Sequence, residues 1–378
     1  MFTPRRFWWG LVATALVAGA CRSTTGPQAQ LANPAQLSSN LQAVAGVVSS
    51  PTFQSFGAIR TSAGSPVAVS TPAGALLNAA PLIAPQSAQP YAGAPARPEA
   101  LRTAASTLGS RIEANVIPST LLGKTFVWDT TSHAYVQAAS STAPSNGVRI
   151  ILYTVDAGGV IVEHPLTAVG YVDLLDLSTT STNTLRVTVY GGTPASPGTA
   201  YADYTVSGTV TGSPTPTAFN ATATGYVTDG THKLTFNASF SATGLNTSTP
   251  GAQVDVIWDL NTPAVHIELH ETLTSDATQV TITLHFSETS GGEAVSVDGS
   301  VSVVKATGAV TVNLSITVNG TPYATVSGMG SNIQFQHADH SALSPAELQA
   351  LGSLWSLPDT LEAAIEDLFH PCQRLMGA

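Results

Sequence analysis

Residues 295–320 read VSVDGSVSVVKATGAVTVNLSITVNG, and apolar and polar residues alternate along most of this stretch. The alternation runs through residues 295–303, breaks at a short polar connection, and resumes through residues 310–318. A period of two is typical of a β-strand with one buried face. Asn319 and Gly320 follow directly, and this pair readily adopts the positive φ angles of a tight hairpin turn. The stretch therefore predicts consecutive antiparallel strands.

The same alternation extends from about residue 121 through most of the chain, with turn residues between its segments. The strongest further hairpin is centred on Asp229-Gly230. A two-residue loop there places Phe219 opposite Phe240 and Ala221 opposite Ala238, so that one face is apolar and the other polar. Counting the segments gives roughly 14 strands, several longer than usual.

The predicted fold is mainly β: a long antiparallel meander that forms a curled sheet or partly open barrel. Short helices at the two ends of the chain would pack on its apolar face, since helices with one apolar stripe need such a surface. A two-sheet β-sandwich is the alternative. The helices are predicted from the spacing of Leu37, Leu41 and Val44, and from the capping box that Ser344 and Glu347 form around Pro345.

The organisation of the chain follows from these patterns and from a proline-rich stretch before the strands. The predicted segments are a signal peptide (1–20), a spacer (21–36), a short helical segment (37–60), a linker rich in Pro, Ala and Ser (61–98), and an antiparallel β domain (99–378) ending in helices (344–370).

The first segment, MFTPRRFWWGLVATALVAGAC, carries two arginines, then a short apolar run, then small residues before Cys21. The apolar run is too short to span a bilayer. The segment resembles a bacterial lipoprotein signal peptide, with Ala18 where Leu is commonest. The resemblance implies that Cys21 is acylated and becomes the mature N-terminus. An ordinary secretory signal and a retained N-terminal helix are the alternatives.

Acylation of Cys21 would tether the protein to a membrane surface, because each buried methylene contributes about 0.8 kcal/mol. By resemblance to lipoprotein sorting, Arg22, in place of Asp, favours the outer membrane over the inner membrane. The expected location is therefore the bacterial cell envelope. The other cysteine, Cys372, would have no disulfide partner, and it is interpreted as an incidental residue near the C-terminus.

Composition excludes several other classes of protein. Only 10% of the 378 residues are charged, and the formal net charge is −10. Binding to nucleic acid or to anionic lipid headgroups needs clustered Lys and Arg, which the sequence lacks. The sequence also lacks nucleophile-elbow, phosphate-loop and H-E-x-x-H motifs.

The most suggestive residues for chemistry lie on one predicted strand, where His266, Glu268 and His270 share a face. A turn at Thr262-Pro263 would place Asp259 opposite His266, Asp255 opposite His270 and Ile257 opposite Glu268. A turn at Asp276-Ala277 would place His285 opposite Glu268. The candidate metal ligands are His266, Glu268, His270 and His285, with zinc as the candidate ion.

Acid–imidazole pairs on a water-exposed sheet face are also ordinary, and each contributes only about 0.2–1 kcal/mol. This interpretation, with no cofactor, is preferred to the metal site. His337, Asp339 and His340 form a second and weaker metal candidate near the last strand.

Two hypotheses for function follow. The first is a non-enzymatic, membrane-anchored lipoprotein that either binds a hydrophobic small molecule on its apolar sheet face or acts as a structural or interaction module. Its general plan resembles the open-barrel lipoprotein carriers of the bacterial periplasm. The second is a metal-dependent hydrolase that uses the histidine and carboxylate residues of the polar face.

Overall fold

A computed structural model describes residues 29–48, 116–156, 160–212, 215–330 and 332–354. The signal peptide, Cys21, the whole 61–98 linker, Cys372 and residues 355–370 of the predicted C-terminal helices lie outside the described residues. The described residues form one helix near the start, fifteen strands in a single sheet, and helical residues at the end.

The elements follow the chain order predicted from the sequence. They are α1 (Pro34–Val48), β1 (Lys124–Asp129), β2 (Ala134–Gln137), β3 (Gly147–Tyr153), β4 (Ala168–Asp176), β5 (Asn183–Thr193), β6 (Ser196–Thr211), β7 (Ala218–Thr228), β8 (Lys233–Thr243), β9 (Gly251–Asn261), β10 (Ala264–Ser275), β11 (Gln279–Ser290), β12 (Glu293–Val304), β13 (Val310–Val318), β14 (Thr321–Met329) and β15 (Asn332–His337), with helical residues 345–354 as α2.

The predicted curled sheet with helices near both ends is confirmed. Neighbouring strands from β3 to β15 are consecutive in sequence and antiparallel, so this part is a continuous meander. The expectation of a wholly antiparallel sheet is wrong at one place, where β1 lies between β2 and β3 and pairs parallel to β3. The described strands belong to one open sheet, with β2 and β15 as its edges, and not to the two sheets of a sandwich.

One face of the sheet, here called the inner face, carries the hydrophobic core. Alternate residues of β7 to β14 point into it, and α1 and α2 pack in the same core. Leu41, Val44 and Val47 of α1 are almost completely buried, as are Leu351 and Leu354 of α2. The opposite face, the outer face, carries the polar residues of the alternating pattern.

Both helices begin with the capping that their sequences favour. Asn33 accepts a hydrogen bond from the Gln36 N–H at 3.1 Å, and Pro34 occupies the first helical position. Ser344 and Glu347 form the predicted reciprocal capping box, with the Ser344 N–H donating to Glu347 Oε2 at 2.7 Å. Because α1 begins at Pro34, the last residues of the predicted 21–36 spacer belong to the helix.

The hairpin turns test the predicted strand register. Asn319-Gly320 is the predicted two-residue turn, with φ of 50° and 74°. The register predicted at Asp229-Gly230 is wrong by two residues, because Phe219 lies opposite Ala242 instead of Phe240. The cause is the position of Asp229, which precedes the turn and accepts the backbone N–H groups of Thr231 and His232 at 2.7 Å. A shift of two residues leaves every side chain on its predicted face.

Two glycines on the inner face allow neighbouring strands to approach closely. Gly225 of β7 and Gly299 of β12 have φ of 152° and 147°. A Cβ atom would lie 2.3 Å from the Asp203 carbonyl oxygen at Gly225 and 2.1 Å from the Asn313 carbonyl oxygen at Gly299. Glycine at such positions lets a long sheet bend.

Candidate functional site

The outer face of β9 to β12 carries a row of alternating acid and imidazole side chains, here called the acid–imidazole ladder. Its members are Asp255, Asp259, His266, Glu268, His270, His285 and Asp298. The apolar neighbours Ile267 and Leu269 point to the inner face, as the alternation predicts. The ladder side chains are 40–55% exposed, so they lie at the water-facing surface of the sheet.

The β9–β10 hairpin has the predicted register at the Thr262-Pro263 turn. Asp259 lies opposite His266, Ile257 opposite Glu268 and Asp255 opposite His270. His266 is held at both ring nitrogens, with Nδ1 2.6 Å from Asp259 Oδ1 and Nε2 3.1 Å from Glu268 Oε1. The bond to Asp259 raises the pKa of His266, the partial burial of the ring opposes this rise, and the bond to Glu268 adds to it.

His270 is oriented by the neighbouring strand in a different way. Its Nδ1 lies 2.5 Å from Asp255 Oδ1, while Asp255 Oδ2 accepts hydrogen bonds from Gln253 Nε2 and Ser239 Oγ. Burial alone would raise the pKa of Asp255, but these hydrogen bonds outweigh it and lower the pKa. Asp255 is therefore an ionised anchor that fixes the His270 ring.

The predicted partner of His285 is wrong. Ser287 lies opposite Glu268, and His285 lies opposite His270. The cause is again the position of an aspartate, because Asp276 precedes the turn and accepts the N–H groups of Thr278 and Gln279 at 2.7 and 2.8 Å. His285 Nδ1 lies 2.5 Å from Asp298 Oδ1 on the next strand.

The structure thus divides the four predicted metal ligands into two pairs. His266 and Glu268 are hydrogen-bonded to each other, whereas His270 and His285 face each other with a separate aspartate behind each ring. Within the described residues, no three His, Cys, Asp or Glu side chains are grouped as ligands of one metal ion.

The second candidate trio is not grouped as ligands of one metal ion in the part of the chain that the structure describes, and Asp339 Oδ1 accepts the Ser341 N–H. His337 Nε2 lies 3.5 Å from Glu347 Oε1, and the same oxygen accepts the Tyr323 hydroxyl at 2.7 Å. His340 Nδ1 lies 3.0 Å from Gln336 Nε2 instead. The contacts of Glu347 connect α2 to β14 and β15.

Sequence reasoning missed one unusual group, the Glu288 side chain on the inner face. Glu288 lies opposite Ile267 and Val295 and is only 1% exposed. Its Oε1 atom is buried without a hydrogen-bond partner. Burial raises the pKa of Glu288 to about 7; the hydrogen bond from Ser290 opposes this rise and the charge of Glu293 adds to it. The signal was present in the alternation, which places Glu288 on the same face as Phe286.

Hydrogen bonds connect the surroundings of Glu288 to α1. Asn40 Nδ2 donates to Ser290 Oγ at 2.8 Å, and the Ala32 N–H donates to Glu293 Oε2 at 2.7 Å. The first half of α1 and the residues just before it are therefore fastened at the end of the sheet where β11 turns into β12.

Comparison with known proteins adds no family to this description. The chain matches no protein-family model, no curated protein and no solved structure. Among the helices of the described residues, none is long and apolar enough to cross a membrane.

Proposed function

We propose that the chain is a non-enzymatic, lipid-anchored protein of the bacterial cell envelope, in which the sheet is a structural or interaction module held at the outer membrane. The anchor in this proposal is the acylated Cys21. Support comes from the signal-like segment before Cys21, from Arg22 after it, and from the way α1 fills part of the inner face.

The anchor and the folded part are close together in sequence. Twelve residues lie between Cys21 and Pro34, the first residue of α1. A fully extended chain spans at most about 3.6 Å per residue, so the start of α1 lies within roughly 50 Å of the lipid. The bonds from Ala32 to Glu293 and from Asn40 to Ser290 join this part of the chain to the β11–β12 turn, which supports a proposal in which that turn lies on the membrane side of the sheet.

The observation that carries the choice between a module and a hydrophobic-ligand carrier is the burial of α1. Leu41, Val44 and Val47 pack into the same core as the inner-face residues of the sheet. In the carrier version, a ligand would occupy this apolar face. Because α1 already occupies part of this face, less apolar surface is left for a ligand, which favours the module.

Substitution of the proposed anchor residue tests the function. Full-length wild type, Cys21→Ser and the matched control Cys372→Ser would be expressed in a bacterium that processes lipoproteins and then partitioned between detergent and aqueous phases. We expect wild type and Cys372→Ser in the detergent phase, with an acylated Cys21 at the mature N-terminus by mass spectrometry. We expect Cys21→Ser to lose the acyl group and acyl-dependent partitioning. A mature wild-type protein without acylation at Cys21 would overturn the proposal.

A further inference from the structure

His270 and His285 form an unusual pair within the acid–imidazole ladder. They are directly opposite each other on β10 and β11, and their side chains are 44% and 41% exposed. Directly opposed residues of an antiparallel pair have Cβ atoms about 4.5–5.5 Å apart. Two imidazoles are therefore held side by side on a water-accessible surface.

Each ring has one nitrogen engaged by a carboxylate. Nδ1 of His270 lies 2.5 Å from Asp255, and Nδ1 of His285 lies 2.5 Å from Asp298. A neutral imidazole that donates its Nδ1–H to a carboxylate carries its lone pair on Nε2. In the described part of the chain, no group hydrogen-bonds the Nε2 atom of either ring.

This arrangement matches the environment of histidines that bind metals. Such histidines almost always donate their second ring N–H to a carboxylate or carbonyl, which fixes the tautomer and makes the ring a stronger ligand. Imidazole nitrogen suits Zn²⁺, Cu²⁺ and Ni²⁺, whereas Ca²⁺ and Mg²⁺ prefer oxygen ligands. The negative charges of Asp255 and Asp298 also favour a cation at this position.

We propose that His270 and His285 bind one divalent late transition-metal ion through their Nε2 atoms, with water completing its coordination. Asp255 and Asp298 are positioning residues that orient the two rings. An ion about 2.0–2.1 Å from both nitrogens requires them to lie roughly 3–4 Å apart, a separation compatible with directly opposed residues whose Cβ atoms lie about 4.5–5.5 Å apart. The proposal goes beyond the anchored module and does not depend on Cys21.

His266 provides the matched control on the same strand. It is also 40% exposed and paired with an aspartate, but both of its ring nitrogens contact carboxylates. Its cross-strand neighbour on β11 is Thr289, which offers no imidazole. His266→Ala therefore removes an exposed ladder histidine without touching the proposed site.

The test is titration of tag-free, chelator-treated full chain with Cu²⁺ in detergent, followed by electron paramagnetic resonance and by competition with Zn²⁺. Cu²⁺ is the probe because it binds such sites most tightly and its spectrum reports the number of coordinating nitrogens. We expect wild type and His266→Ala to bind one Cu²⁺ with two imidazole nitrogens. Zn²⁺ should displace it when in excess.

The variants separate ligands from positioning residues. His270→Ala and His285→Ala should each remove one nitrogen from the spectrum and weaken binding more than tenfold. Asp255→Asn and Asp298→Asn should keep both nitrogens but weaken binding by about 10–100-fold. Melting curves would confirm that each variant is folded. No two-nitrogen site in wild type, or a site that survives His270→Ala or depends on His266, would overturn the proposal.

Discussion

Glu288 lies directly opposite Ile267 on the inner face of the sheet, with one carboxyl oxygen buried and unpartnered. Ionising a carboxyl group in such surroundings carries a large desolvation penalty, so Glu288 keeps its proton until the pH approaches 7. Its polar and charged neighbours are Ser290, Glu293 and, through Ser290, Asn40 of α1. The folded state therefore binds a proton that the unfolded chain releases at lower pH.

Substitution of Glu288 by Gln should stabilise the protein at neutral and alkaline pH. The pKa of Glu288 is about 7 in the folded state against an ordinary value of 4.5, so between these values only the folded state holds the proton. Stability is then lost as the pH rises from about 4.5 to about 7. A pKa shift of this size lowers the free energy of unfolding at alkaline pH by about 3 kcal/mol. Urea denaturation at pH 4.5 and pH 8 measures the effect.

The matched control is Glu268→Gln, which removes a carboxylate from the outer face. We expect Glu288→Gln to gain stability over wild type at pH 8 and little at pH 4.5, while Glu268→Gln shows no such gain. Equal stability of wild type and Glu288→Gln at pH 8 would show that the buried carboxyl does not perturb folding.

Truncation of Leu41 tests the contribution of α1 to the core. Leu41 is 2% exposed, and Leu→Ala substitutions at such positions typically lower the free energy of unfolding by about 2–5 kcal/mol. Leu348 of α2 is 45% exposed and provides the same substitution at a surface position, where we expect less than about 1 kcal/mol. Equal effects of the two substitutions in urea denaturation would contradict the docking of α1.

Asp229, in the turn after β7, is expected to make a pH-dependent contribution to the stability of the folded protein. Burial alone would raise the pKa of Asp229, but hydrogen bonds from the His232 ring and from the N–H groups of His232 and Thr231 lower it to about 2. The resulting stability, less than about 2 kcal/mol because water screens this partly exposed group, is present above the ordinary value of 3.8 and is lost as the pH falls through about 2.

We therefore expect Asp229→Ala to unfold more easily than wild type at pH 7, with the difference shrinking as the pH falls below about 4. Asp229→Asn keeps an acceptor oxygen for the backbone N–H groups, so it should retain part of the stability without the pH dependence. Thermal melts from pH 7 to pH 2 compare the three proteins. A constant difference across this range would rule out the ionised carboxylate as the source.

Much of the fold could be predicted because alternation assigns side chains to faces whatever the exact register. Asp229 and Asp276 show what alternation cannot supply. The pattern predicts both residues inside two-residue turns, but each precedes its turn and caps it. The pairing of the following strand is therefore shifted by two residues. The faces survive such a shift but the partners do not, so the His270–His285 pair was missed.

Other features depend on long-range packing that has no local signal. The pairing of Lys124 with Val148 joins β1 in parallel to β3, although β2 lies between them in sequence. No turn residue in the sequence indicates this pairing. The position of Glu288 on the apolar face follows from the alternation, but the depth of its burial depends on what covers that face. The Asp259–His266 pair was predictable because the intervening Thr262-Pro263 turn has only two residues.

The central claim, that the sheet is an anchored module whose inner face is partly covered by its own helices, is tested most directly by native mass spectrometry. The full chain would be purified gently from bacterial membranes, released from detergent in the instrument, and weighed before and after organic extraction. The expected mass both times is that of the processed, acylated polypeptide, with or without one bound metal ion. A further lipid-sized mass that organic extraction removes would contradict it and support the hydrophobic-ligand carrier instead.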